Sequence, residues 1–169
     1  SESYYIPAGP FVYLGNLRRC DVSVVRLPSG ERLEHNGPLL EMKPTRLEAC
    51  YVLEPDRALE HAGLTAPALP RAYDVLDIGR RAYLVSTPPT SFFSSFRILA
   101  KVERAEIGPA LQRLGCGTVI LHGCMKGAEQ AKLLRELRPY CTGGRRLHVF
   151  LSDVAYVTER ERSREERRF

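Results

Sequence analysis

Thr118-Val119-Ile120-Leu121, then His122-Gly123-Cys124-Met125-Lys126-Gly127, then Glu129 to Leu137: this stretch decides the fold. A run of β-branched and apolar residues reads as a buried strand. Glycines bracket the linker after it. The last segment repeats apolar residues at helical spacing, which predicts Ala131, Leu134 and Leu137 on the inward face. Working outward, Arg97 to Val102 reads as a preceding strand and Leu147 to Leu151 as a following one. Ala105 to Leu114 reads as a helix with Ile107, Leu111 and Leu114 on one stripe. Strand, helix, strand, helix, strand predicts a parallel or mixed sheet. Val154 to Val157 fits an added edge strand or the start of a helix.

The first half reads differently. Phe11-Val12-Tyr13-Leu14, a segment with Val22 and Val24 on one face, Arg32 to His35 and Leu39 to Met42 are strand candidates. Turn signals at Pro28-Ser29-Gly30-Glu31 and Asn36-Gly37 separate them. Ala49 to Leu53 suits a strand, or continues a helix capped by Thr45 and Glu48. Pro55-Asp56 opens a helix to His61 or Ala62, closed by Gly63. Leu64 to Arg71, with Pro67 and Pro70, reads as a loop. Tyr73 to Ile78 and Arg81 to Val85 form a hairpin around a two-residue turn, Gly79-Arg80. The expected fold class is α+β. An antiparallel β-rich N-terminal part with one or two short helices (residues 1–90) packs with a C-terminal βαβαβ unit (residues 91–157) that shares its core. Residues 158–169 alternate charges without an apolar stripe, which suits an exposed extension or an interaction arm.

Cys124 is the sharpest chemical feature. A thiol in a strand-to-helix linker faces the amide-rich helix start, which stabilises negative charge. His122 and Lys126 stand close enough in sequence to add positive charge. The order strand, cysteine, short loop, helix resembles the cysteine loops of rhodanese-like domains and tyrosine phosphatases, over Ala105 to Leu137. That resemblance implies a Cys-dependent transferase or hydrolase using Cys124, and under that reading the neighbouring His122 and Lys126 would join it as catalytic residues. Three positions depart from it. Gly123 stands where the phosphatase loop has histidine, and Gln130 where it has arginine. Glu129 stands where the rhodanese loop ends in a basic residue, and an acid there repels a bound oxyanion.

The chain has 169 residues and a formal charge of +5. Of its 25 basic residues only Lys43, Lys101, Lys126 and Lys132 are lysine. Such arginine bias suits recognition of phosphate or carboxylate by a planar fork, and also the codon usage of a GC-rich virus or bacterium. The five cysteines are odd in number and form no C-x-x-C pair, which points to mostly free thiols in a reducing cytoplasm or nucleus. His122 and His148 lie on strands that could be neighbours, but their spacing with Cys124 and Cys141 matches no metal motif, so no metal is expected. No P-loop, dinucleotide or nucleophile-elbow glycine motif occurs, and no cofactor is expected. No apolar run approaches the ~18 residues of a membrane helix, so no membrane partner is expected.

Arg18-Arg19, Arg80-Arg81 and Arg145-Arg146 are the basic sites, the last two at predicted turn tips. Brought to one face, they would form a phosphate-tracking patch. Phe92, Phe93 and Phe96 either pack on the core or form a partner-binding patch. The leading expectation is a non-catalytic binding protein acting through the basic loops, the Phe-rich segment and the charged tail. Its partner would be a protein, alone or assembled with nucleic acid. A nucleic-acid-binding protein proper is the first alternative and the Cys124 enzyme the second.

Overall fold

The computed structural model describes residues 20–26, 30–38, 44–45, 47–87 and 92–161. The strand candidates Phe11 to Leu14 and Leu39 to Met42 lie outside these residues, as do Arg18 and Arg19.

Asn36 and Gly37 lie at the open end of a small hairpin. Strands β1 (Val22–Arg26) and β2 (Glu31–His35) pair antiparallel, with Val22 opposite His35. Asp21 Oδ2 accepts the Gly37 N–H at 2.7 Å, and Asn36 Oδ1 accepts the Asp21 N–H at 3.1 Å. These bonds tie the open end with side chains that favour local backbone bonding.

The other strands form one sheet: β3 (Tyr51–Pro55), β4 (Asp74–Asp77), β5 (Arg81–Val85), β6 (Phe93–Val102), β7 (Cys116–His122), β8 (Arg145–Leu151) and β9 (Ala155–Arg160). Their spatial order is β4-β5-β3-β6-β9-β8-β7. Only β7 and β8 pair parallel. The fold is α+β. Helix α3 (Ile107–Arg113) joins β6 to β7, and α4 (Gly127–Leu137) joins β7 to β8. Strand β9 runs antiparallel to both β6 and β8, so the three strands of the βαβαβ unit share one direction.

Strand β9 corrects two expectations. Val154 to Val157 belongs neither to an edge strand nor to a helix start; β9 is an interior strand, bonded on both sides. Residues 158–160, assigned by charge to a solvated tail, complete it. Thr158 is fully buried, and its hydroxyl donates to the His148 carbonyl at 3.1 Å. Residues 162–169 lie outside the described part.

Several local readings also shift. Helix α1 (Arg57–His61) lies between Asp56 and Gly63 as the sequence predicts, with Gly63 at φ 69. The proline-containing segment after it carries a single helical turn, α2 (Thr65–Ala68). Pro67 is tolerated there because a first turn leaves its N–H groups unbonded anyway. Thr45 caps no helix; its N–H donates to the Tyr73 carbonyl at 2.7 Å. The β4–β5 connection has three residues, Ile78-Gly79-Arg80, since Asp77 pairs with Arg81. In α4 the inward side chains are Leu133 and Leu137, with Leu134 partly covered, while Ala131 is exposed.

The helices share one face of the sheet. Helices α3 and α4 cover Leu121, Leu147, Val149 and Val157, and α1 and α2 cover Leu53, Tyr83 and Val85. The opposite face carries Val52, Leu84, Phe96, Phe150 and Tyr156, all buried against Leu76 and Ile78 from the β4 end. Strands β4 and β7 are the two edges of the sheet, yet a Cβ at Gly79 would lie 2.8 Å from Cys124 Cβ. The sheet is therefore rolled around this second core until its far corners touch. Register shifts in β6 (Ile98/Ala100) and β7 (Cys116/Thr118) supply local bends of the kind that rolling needs. No described helix is long and apolar enough to cross a membrane.

Candidate functional site

The meeting of the sheet's corners assembles a polar cluster from distant parts of the chain. Glu54 comes from the end of β3, Arg80 from the β4–β5 turn, His122 from the last position of β7, and His148 from the middle of β8. Phe150 stacks on the His122 ring at 4.2 Å between centroids, and Phe96 lies 4.9 Å from the His148 ring. The apolar rings fix both imidazoles in place.

The hydrogen bonds form a chain. His122 Nδ1 is 3.1 Å from Glu54 Oε1, and His122 Nε2 is 2.8 Å from His148 Nδ1. Arg80 Nη2 donates to the same Glu54 oxygen and lies 3.4 Å from His122 Nδ1. With a proton on Nδ1 directed at the carboxylate, His122 Nε2 is left to accept the Nδ1–H of His148. That assignment leaves the lone pair of His148 on Nε2. His148 is 7% exposed, and its pKa is lowered to about 4. Burial is the first cause; His122, Arg160 and Arg146 add to it, and Glu54 opposes it. His148 is thus uncharged at neutral pH, and its Nε2 lone pair can accept a hydrogen bond.

Positive charge collects around the pair. Arg146 precedes His148 by two positions on β8, and so shares its face. Thr158 pairs with His148, and Arg160 follows Thr158 by two positions on β9. Arg80 reaches the cluster from the turn. One member of each of the Arg80-Arg81 and Arg145-Arg146 pairs therefore stands at the same histidines, although Arg145-Arg146 opens β8 and is not at a turn tip as the sequence predicts.

The remaining candidates separate by environment. Arg145 is a structural residue: Nε and Nη2 donate to Glu159 at 3.2 and 2.8 Å, and Nη1 donates to the Leu114 carbonyl at 3.2 Å. Its guanidinium, bonded to Glu159, holds that carboxyl below the usual range. Arg81 is exposed, as is Lys126, which stands at the N-cap position of α4. Cys124 is exposed, packed beside Gly79 and three residues short of α4. Phe92 and Phe93 are 5% and 7% exposed in the core beneath α1 and α2. Burying these rings against Leu59, Leu64 and Tyr83 removes apolar surface from water, so they offer no patch to a partner. Among the described residues no group of three His, Cys, Asp or Glu side chains is placed to hold a metal ion.

Sequence reasoning missed Glu54 and Arg160. A carboxylate directly after Tyr51-Val52-Leu53, on a strand otherwise buried, was the available signal for Glu54. Arg160 was hidden in the charge run of the tail.

No protein-family profile and no curated protein matches the chain. Among the solved structures that match is one described as "Crystal structure of putative methyltransferase from Porphyromonas gingivalis W83". It is 17% identical with a TM-score of 0.48, and the match covers 73% of this chain and 32% of that one. A likeness at that level carries no argument about chemistry.

Proposed function

We propose that the chain is a non-catalytic binding protein that takes an anionic partner on the surface around His122 and His148. The partner is an acidic protein segment or a nucleic acid. One observation supports this best: Arg80, Arg146 and Arg160 come from a turn and two strands to a single histidine pair, His148 being neutral at neutral pH. Guanidinium forks bind phosphate and carboxylate in two-pronged geometry. A neutral imidazole beside them adds a hydrogen-bonding nitrogen without a desolvated charge of its own. The free thiols and arginine-rich composition suit a reducing cytoplasm or nucleus and a GC-rich genome.

Fluorescence anisotropy with a labelled single-stranded oligonucleotide, and with a labelled acidic peptide, tests the proposal. Affinity for one of them is expected to fall steadily as salt rises, with a slope smaller by about one for Arg146→Ala. A salt-independent signal with both probes, or no binding at low salt, contradicts it.

A further inference from the structure

Two thiols on the helix-covered side of the sheet belong to no feature described so far. Cys116 opens β7 and is fully buried; Cys141 follows the 3-10 turn Arg138–Tyr140 after α4 and is half-buried. Their sulfurs lie 3.8 Å apart. The backbone around them is already clamped. Gly143 N–H donates to the Cys116 carbonyl at 2.7 Å, and Arg145 N–H donates to the Gly115 carbonyl at 3.1 Å. A Cβ at Gly143 would stand 2.1 Å from the Gly115 oxygen, so the two segments touch through glycine alone. We propose that Cys116 and Cys141 are a modification site, a thiol pair that a peroxide closes to a disulfide and a dithiol reductant reopens. The proposal is independent of anion binding at the histidines.

Geometry sets the order of events. A disulfide brings its sulfurs to about 2.0 Å, so the pair must close by roughly 2 Å. Cys141 sits in a connection after α4, where a side-chain rotation supplies that movement. It is also the thiol that water reaches. Burial, and then the neighbouring Cys141, push the Cys116 thiol up to about 11. Cys116 is therefore no thiolate at neutral pH, and Cys141 reacts first. Its sulfur attacks one peroxide oxygen; the S–O bond forms, the O–O bond breaks, and the departing hydroxide takes the Cys141 thiol proton and leaves as water. The Cys116 sulfur then attacks the sulfenic sulfur of Cys141; the S–S bond forms, the S–O bond breaks, and the lost hydroxyl takes the Cys116 proton as a second water. Two thiols lose two electrons and one peroxide gains them. The bridge would join positions 25 apart in sequence and enclose β7, the Cys124 loop and α4.

The test uses the whole chain, reduced, desalted and exposed to a small excess of hydrogen peroxide. Remaining thiols are blocked with iodoacetamide, and the digest is mapped by mass spectrometry. The linked Cys116–Cys141 peptide is expected as the main oxidised product, lost on treatment with dithiothreitol. Cys116→Ser is expected to leave a Cys141 sulfenic acid that dimedone traps. Recovery of alkylated Cys116 beside Cys141 sulfinic acid in the wild-type map overturns the proposal. So does a main cross-link through Cys20, Cys50 or Cys124. The wild-type map decides even if the variant fails to fold.

Discussion

Acidification should loosen the protein through His148 in a predictable window. Its folded-state pKa of about 4 lies below the ordinary 6.5. Between those values the unfolded chain binds a proton that the folded chain refuses. The stability linked to His148 is therefore complete above about pH 6.5, shrinks as pH falls, and is lost by about pH 4. At about 1.4 kcal/mol per pH unit the whole window corresponds to about 3 kcal/mol. Water reaches the edge of the ring, so screening reduces the expected loss to about 1–2 kcal/mol. The charged and titratable groups facing the ring are Glu54, Arg80, His122, Arg146 and Arg160. Comparison with His148→Gln isolates the His148 share, since the amide keeps a donor for His122 Nε2 and does not titrate. Urea unfolding followed by circular dichroism at neutral pH and near pH 4.5 gives the two slopes. The wild type should lose about 1–2 kcal/mol more than His148→Gln across that interval. Equal losses would refute the link between burial of this ring and its neutrality.

Three further expectations are simple to check. Gly143→Ala drives a Cβ into the Gly115 carbonyl, a backbone group that no rotamer change relieves, and should cost about 3 kcal/mol in urea unfolding. Arg145→Ala removes the paired bonds to Glu159 and the bond to Leu114, and should cost about 1 kcal/mol while anion affinity stays unchanged; Arg146→Ala should show the reverse, with affinity lower and stability unchanged. Cys124→Ser should bind the oligonucleotide or peptide within about twofold of the wild type, because the thiol is not among the groups assigned to the partner.

Local signals were legible in the sequence where one residue type answers one backbone need. Gly63 ends α1 in the left-handed region, and Asn36-Gly37 turns beside β2. The apolar stripe of α3 was readable from Ile107 and Leu111. Strand order was not. The interior place of β9 depends on pairing partners met along the backbone hydrogen-bond direction, whereas side-chain alternation reports only faces. In α4, Leu133 and Leu134 are adjacent, and only the tilt of the helix on the sheet selects Leu133 as the deeper one. His122 and His148 were visible as a pair on neighbouring strands. Their link to Glu54 and Arg80 arises from the rolling of the whole sheet, which no local spacing encodes.

Charge gathered at the His122–His148 pair is expected to receive an anion. Ring resonances of these two histidines, followed by NMR while the oligonucleotide and then the acidic peptide are titrated in, test it most directly. A saturable shift of the His148 signals with one of these probes, reversed by added salt, is predicted. Saturation of either probe elsewhere on the molecule, with both histidine rings unmoved, would contradict it.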